Sequence, residues 1–318
     1  MPFLILLIGF ALLIKGADVF VEGASSIAKK FNVPSMIIGL TIVAMGTSAP
    51  EAAVSITSSL AGQNDMSVAN VVGSNFFNIL VVLGVSSIIA KLPVQKETIK
   101  KDTPFLILVS GLLLIFGINL KLGRIEGIAL LSLFTYFLVS TIKSAKMATD
   151  STSSETGETA IAIETEASSQ ISLPKTILIS LVGIVGIVVG GDMVVNSATS
   201  IATSFGMSAN LVGLTIVAVG TSLPEFVTSI VAIKKGETEI AIGNVIGSNV
   251  FNILLVLGLA ATINPIAMSM SAFIDIVFMV LITLLLYMFM KKDNSLVKKQ
   301  GIILVVLYIA YMAYTITR

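Results

Sequence analysis

The hexapeptide Gly-Thr-Ser-Ala-Pro-Glu at 46–51 returns as Gly-Thr-Ser-Leu-Pro-Glu at 220–225, and each copy lies inside a long apolar stretch. The offset from Glu51 to Glu225 is 174 residues (225 − 51). The same offset relates GSNFFN at 73–78 to GSNVFN at 247–252, and Asp18 to Asp192, with no insertion or deletion between them. The chain is therefore a duplicated membrane-embedded unit with one carboxylate per copy at mid-membrane depth. A charged side chain there costs about 2.5–3.5 kcal/mol on insertion scales. Two such residues in matched positions point to a cation site.

Composition narrows the cargo. Apolar residues make up 55% of the 318 residues, the mean hydropathy is +1.02, and only 12% are charged. A soluble domain carries about twice that charged fraction. The chain has no cysteine and no histidine. Disulfides, thiolate or imidazole metal sites and a histidine proton relay are thereby excluded. Hard cations that seek oxygen ligands remain.

Ten apolar segments can be drawn, near 3–28, 34–59, 67–90, 103–118, 124–142, 174–202, 209–233, 240–262, 270–290 and 299–316. Most reach the ~20 residues a helix needs to cross the hydrocarbon core. The first begins too early for the basic leader of a cleavable signal and reads as a mature span. With the N-terminus outside, fifteen lysines fall in inner loops, against Lys121, Arg124 and Arg318 outside and Lys15 within the first span. The positive-inside rule then puts both termini outside and the central linker in the cytoplasm. Five spans per half is an odd number, so the second half must insert upside down. The expected fold is an all-α polytopic membrane protein of ten transmembrane helices in two inverted five-helix repeats, 1–143 and 173–318. Between them, residues 144–172 are rich in Ser, Thr and Glu and read as a flexible acidic tether.

Each repeated hexapeptide interrupts a helix. Proline removes a backbone donor and clashes with the carbonyl one turn earlier. A glycine four residues before it helps the break, and carbonyls near Ala44–Ser48 and Ala218–Ser222 are expected to lose their usual partners. Within lipid this is tolerated only where they line a polar cavity. Those carbonyls, the hydroxyls of Thr and Ser, and a glutamate form a cluster of hard oxygen donors. In the second motif Ser74 and Asn78 share one helical face, as do Ser248 and Asn252, with Asn70 and Asn244 one turn back. Gly73 and Gly247 permit close helix approach. A proline kink alone, or a polar stripe alone, is equally well explained by helix packing. A glutamate beside the kink in both copies is not.

The remaining intramembrane charges suggest less. Asp18 and Asp192 read as hydrogen-bonded structural groups, with an ion-path role as the alternative. Lys15 is placed to pair with Asp18 or to snorkel. Glu126 and Asp275 are expected at the outer interface.

At these residues the chain resembles the calcium/cation antiporter superfamily, and within it the prokaryotic sodium/calcium exchangers. The elements GTSAPE with ANVVGSN and GTSLPE with GNVIGSN look like that superfamily's two repeats, although Ala69 stands where Gly243 keeps the usual glycine. The resemblance covers nearly the whole chain. It implies that Glu51 and Glu225 are the central carboxylates. Thr47, Ser48, Thr221 and Ser222 would add hydroxyl and carbonyl oxygens, as would the carbonyls of Ala44 and Ala218. Ser74 and Ser248 would ligate outer Na⁺ sites, and Asn78 and Asn252 would complete the middle. It further implies that the first and sixth helices slide as the gate. Asparagine at 252, where some relatives carry aspartate, implies no K⁺ requirement.

The expected function is secondary antiport of Na⁺ against Ca²⁺ across the cell membrane, electrogenic and without a bound cofactor. Its partners are the two transported ions and the bilayer, with no nucleic acid, and the functional unit is a monomer. Proton/calcium exchange through the same glutamates is the alternative. A passive channel fits less well, because no selectivity-filter ring is visible. No nucleotide-binding loop or nucleophile–base pair suggests an enzyme.

Overall fold

The structure, a computed structural model, describes residues 2–62, 64–155, 173–207 and 218–317. It is predominantly helical. The first half contains α1 (Pro2–Lys30), α2 (Ser35–Ile38), α3 (Ala44–Thr47), α4 (Ala49–Leu60), α5 (Asn64–Phe76), α6 (Leu83–Ile89), α7 (Thr103–Phe116) and α8 (Arg124–Glu155). The second contains α9 (Leu173–Ser204), α10 (Ala218–Gly220), α11 (Leu223–Lys234), α12 (Thr238–Phe251), α13 (Gly258–Ile263), α14 (Met270–Asp293) and α15 (Lys298–Thr317). Among the described residues seven helices are long and apolar enough to cross a membrane, and the bent pair Ser35–Thr47 with Ala49–Leu60 brings the count to eight. The other two expected segments are the 20-residue α15 and the stretch at 209–233, whose first part lies outside the described residues.

The burial pattern is that of a protein dissolved in lipid. Phe3, Leu7, Ile125, Tyr136, Val185 and Met288 are all more than half exposed, which a soluble monomer does not accept over so wide a surface. The most apolar stretches of Thr238–Ile263 and Met66–Ile89 are 94% and 72% buried, against 22% for Arg124–Met147. The two helices that carry the GSN motifs therefore form the centre, and the others surround them.

Two features fix the relation of the halves. Gly9, Gly16 and Gly23 of α1 face Gly190, Gly183 and Ser180 of α9, so these two helices run antiparallel. A Cβ on Gly16 would lie 2.8 Å from the Gly183 carbonyl, and one on Gly190 would lie 2.5 Å from the Leu13 nitrogen. Only glycine permits that approach. The second feature is a pair of two-residue ladders between loops. β1 (Leu92–Pro93) pairs antiparallel with β4 (Ser295–Leu296), and β2 (Lys121–Leu122) with β3 (Ile266–Ala267). The inward side chains Leu92, Leu296, Leu122 and Ile266 are fully buried.

Two expectations need correction. The fifth helix does not stop near 142 but continues through Glu155. Residues 143–149 hold Ala, Lys and Met with no Gly or Pro to end it. Only 156–172 of the expected tether lies outside the described residues. Asp275, near the start of α14, is buried against the protein at 8% exposure. The Glu126 carboxylate accepts from the Gly123 N–H at 3.0 Å, at the start of α8. Lys15 does not pair with Asp18. The partner of Asp18 is Lys235, whose Nζ lies 2.9 Å away and 3.4 Å from Glu22.

Candidate functional site

The two Pro-Glu motifs break their helices in the same way. Ser48 (φ −83°, ψ 8°) and Ser222 (φ −92°, ψ 6°) occupy the sparsely populated bridge region, and each precedes a new helix with proline in its first turn. The first break bends the chain by 48°. Glu51 and Glu225 fall in the first turn of α4 and α11. There the unpaired N–H groups and the helix dipole favour a negative charge. Both glutamates are fully buried.

Around them the two halves exchange hydrogen bonds. Ser48 donates to Glu225 Oε1 at 2.9 Å, and Ser222 donates to Glu51 Oε1 at 3.1 Å. Ser74 also donates to Glu51 Oε1 at 3.2 Å, and the Ser222 and Ser74 hydroxyls lie within 2.8 Å of each other. Thr47 donates to Asn244 Oδ1 at 3.0 Å and lies 3.4 Å from the Ser248 hydroxyl, while Thr221 donates to Asn70 Oδ1 at 3.4 Å. Asn70 and Asn244 clamp the breaks. Their amides donate to the backbone carbonyls of Glu51 (3.2 Å) and Glu225 (3.4 Å), and to Ser55 and Ser229.

The carbonyls behave differently from the sequence-based expectation. The Ala44 carbonyl is not stripped of its partner: it accepts from the Ser48 N–H at 3.0 Å. The helix stays hydrogen-bonded, through a π turn at Gly39–Val43, up to Ser48, so the loss begins nearer the proline. The Thr47 hydroxyl lies 3.4 Å from the same Ala44 oxygen. In the second copy Ser222 N–H bonds to Val219 rather than Ala218, at 3.2 Å. The backbone of Ala218 opens α10.

The centre holds four oxygens that no donor among the described residues reaches: Glu51 Oε2, Glu225 Oε2, Asn78 Oδ1 and Asn252 Oδ1. All four belong to fully buried side chains. An unpaired acceptor in such a place costs about 1–3 kcal/mol, more when charged. A turn of π-helix starts at Phe77 and another at Asn252, the local distortion that often marks a functional position in a helix. Among the described residues no cluster of three or more acidic, cysteine or histidine side chains occurs. The site is thus two carboxylates set among neutral oxygens, the donor set of a hard cation.

Hydrogen bonds thus bring the expected side chains together, with two additions. Asn75 and Asn249 accept from the amides of Asn252 and Asn78 at 3.1 and 3.2 Å. They are the third residue of each GSN, and the same-face rule that selected Ser74 and Asn78 passes over them. Gly247 permits close approach as expected: a Cβ there would lie 2.5 Å from the Leu40 carbonyl. Around Gly73 nothing described lies within 4 Å, and its equivalent neighbour, residue 214, is outside the described residues. A cavity of about 430 Å³ beside the two breaks is lined by Pro50, Thr221 and Pro224, with Asp192 and Asn196 of α9 on its wall. Asp18 and Asp192 therefore differ: one is held in an ion pair and the other lines a cavity.

Sequence and structure comparisons agree with this geometry. The inner membrane protein YrbG of Escherichia coli is 38% identical over 264 residues, 82% of this chain and 79% of YrbG. The sodium/calcium exchanger MaX1 of Methanosarcina acetivorans is 32% identical over 339 residues, 98% of this chain and 97% of MaX1. The sodium-calcium exchanger NCX_Mj, soaked with Na⁺ and Sr²⁺, superimposes with a TM-score of 0.84 at 31% identity, covering 98% of this chain and 97% of its own. The family described as sodium/calcium exchanger protein matches in two blocks, 1–143 and 175–317. This multi-pass membrane chain belongs to the sodium/calcium exchanger family.

Proposed function

We propose that the protein exchanges Na⁺ for Ca²⁺ across the cell membrane by alternating access, and that it performs no chemical transformation. The observation that carries this reading is the set of four unpaired, buried oxygens on Glu51, Glu225, Asn78 and Asn252. Two glutamates neutralise one Ca²⁺. The carbonyls of Ala44 and Ala218 and the oxygens of Thr47, Ser48, Thr221, Ser222, Ser74 and Ser248 complete the shell or hold Na⁺ at its edges. Ca²⁺ takes six to eight oxygen ligands, so Na⁺ ions spread over the same atoms compete with it. That competition couples the two fluxes, because one ion class must leave before the other enters. With more than two Na⁺ per Ca²⁺ each cycle moves net charge, driven by about 2.3 kcal/mol per charge per 100 mV. An inward Na⁺ gradient then extrudes Ca²⁺.

The arrangement that serves this function is ten spans in two inverted halves, 1–143 and 173–318. A cytoplasmic connector at 144–172 joins them, both termini lie outside, and a monomer suffices. The antiparallel course of α1 and α9 supports the inversion. The loop ladders support the sidedness: each joins two loops that the basic residues assign to the same side.

The test is tracer Ca²⁺ uptake into proteoliposomes under a Na⁺ gradient alone and a pH gradient alone, each with and without a clamped potential. Uptake driven by Na⁺ and stimulated by potential is the expected result. Uptake driven only by the pH gradient would replace it with proton exchange, and uptake without any counter-ion gradient would make the protein a channel.

A further inference from the structure

We infer that Asn75 and Asn249 are positioning residues that fix which atom of Asn252 and Asn78 faces the transported cation. The inference rests on the ion site proposed above and adds residues outside its ligand set.

An asparagine amide ends in an oxygen and a nitrogen of nearly equal size. Turned one way it offers a cation a ligand, and turned the other it presents two N–H groups that repel one. Something must therefore set the rotation of Asn78 and Asn252. The chain of constraint starts at a backbone carbonyl, which cannot be exchanged for a donor. Asn75 Nδ2 donates to the carbonyl of Asn249 at 3.4 Å and lies 3.5 Å from Met279 Sδ. Its Oδ1 must then point the other way, where it accepts from Asn252 Nδ2 at 3.1 Å. Ser74 Oγ accepts from the same nitrogen at 3.1 Å. With its nitrogen held twice, Asn252 turns Oδ1 into the buried centre, where no donor among the described residues meets it. The other half repeats the pattern: Asn78 Nδ2 donates to Asn249 Oδ1 at 3.2 Å and leaves Asn78 Oδ1 unpaired. All four amides are buried, Asn75 at 1% exposure and the others at zero, so water cannot substitute for a missing partner.

The two halves are not equally firm. Asn75 is anchored by the carbonyl of Asn249, whereas Asn249 Nδ2 has no partner among the described residues. The Asn252 oxygen is thus the more firmly held of the two, and loss of Asn75 should cost more than loss of Asn249.

A carboxylate presents oxygen in both rotations and needs no such support, which gives the test. Binding of ⁴⁵Ca²⁺ is measured on the detergent-purified full chain, with Na⁺ as competitor. The comparison takes Asn75→Ala in the parent and in an Asn252→Asp background. Outer residues that orient metal ligands are worth roughly 10–100-fold in affinity. The expected result is a weakening of Ca²⁺ binding by about tenfold or more in the parent, and by less than about threefold with aspartate at 252. An equal loss in both backgrounds would make Asn75 a packing residue, and unchanged affinity in the parent would also overturn the inference. If Asn75→Ala fails to assemble, Asn249→Ala against an Asn78→Asp background carries the same comparison on the other half. Glu51→Gln and Glu225→Gln serve as references. If they bind Ca²⁺ normally, the ion site itself is misplaced. If they lose binding while Asn75→Ala does not, only the positioning role fails.

Discussion

Ser48, on the first half of the chain, donates a hydrogen bond to Glu225, on the second, at 2.9 Å, and Ser222 returns the same bond to Glu51 at 3.1 Å. Each carboxylate is therefore oriented by the other repeat, and the site exists only when both halves are docked. Hydrogen bonds to charged groups are worth about 1.5–3 kcal/mol. Ser48→Ala and Ser222→Ala are each expected to weaken Ca²⁺ binding by roughly tenfold or more. Because both act on one ion, the double variant should lose less than the product of the two. Titration of ⁴⁵Ca²⁺ binding checks this, and a strong effect at one serine with none at the other would break the symmetry claimed here.

The glutamates give a test that separates binding from folding. A buried carboxylate without its ion is a cost that an amide avoids. Ion-free Glu51→Gln and Glu225→Gln should melt at a higher temperature than the ion-free parent, while Na⁺-driven Ca²⁺ flux is abolished. Added Ca²⁺ should stabilise the parent by about 2.7 kcal/mol at a hundred times its Kd and leave both variants unmoved. Calcium-dependent stabilisation of either variant would show that its carboxylate is not a ligand.

Gly247 carries a steric requirement rather than a chemical one. A Cβ there would lie 2.5 Å from the Leu40 carbonyl and 2.8 Å from Ala44 Cβ, and the carbonyl is backbone that cannot swing aside. Leu40 and Ala44 lead directly into Thr47 and Ser48. Gly247→Ala should displace that segment and lower Na⁺-driven Ca²⁺ uptake by at least about tenfold, since misplacement of about 1 Å costs as much as a hundredfold in comparable sites. Gly111→Ala, with nothing within 4 Å of the new Cβ, should transport normally. Uptake assays on the two variants at matched incorporation decide it.

What could be read in the sequence was whatever repeats or alternates locally. The duplicated Gly-Thr-Ser-x-Pro-Glu marked both helix breaks, and the four-residue spacing of Ser74 and Asn78 put them on one face. Both follow from backbone rules that act within one turn. The pairing of Ser48 with Glu225 is a contact across 177 residues of chain, and only docking of the halves creates it. Asn75 lies one residue off the polar stripe, so periodicity passes over it. It faces the site because it meets Asn252, a tertiary fact. The ion pair of Asp18 was missed for the same reason, since Lys15 is nearer in sequence but Lys235 is nearer in space. The helical run through 144–155 was read as tether because acidity and serine content outweighed the absence of any helix stop.

That ion pair has no equivalent in the other half. Lys235 bridges Asp18 and Glu22 of α1, whereas the residues at the matching positions are Ala61, Asp192 and Asn196. The hydrogen bond that Lys235 donates to Asp18, together with the charges of Asp18 and Glu22, raises the Lys235 pKa. Its contribution is therefore complete below the ordinary lysine pKa, persists through neutral pH and fades only as pH climbs through the raised value. The groups are partly exposed, and such pairs contribute about 0.2–1 kcal/mol. Lys235→Gln and Asp18→Asn should each lower the melting temperature by roughly 1–4 °C. The double variant should match the worse single one, and the differences should shrink in 1 M salt, where the screening length is about 3 Å. Additive losses that ignore salt would show that the two residues act independently.

The chain contains no cysteine, so its sidedness can be measured without a background to remove. Lys96 lies between the β1 ladder and α7, in a loop assigned to the cytoplasm, and Lys121 lies in β2, in a loop assigned to the outside; both are exposed. In intact cells a membrane-impermeant maleimide should label Lys121→Cys and spare Lys96→Cys, and permeabilised cells should label both. The ladders make this a test of the whole topology. β1 is bonded to β4 and β2 to β3, so each side of the membrane is fixed once for a loop from either half. Introducing a second cysteine at Ala267, the partner of Lys121, should add a site labelled from the outside as well. Labelling of Lys121→Cys and Ala267→Cys from opposite sides would be incompatible with the ladder and with inverted halves, whatever the transport assays report.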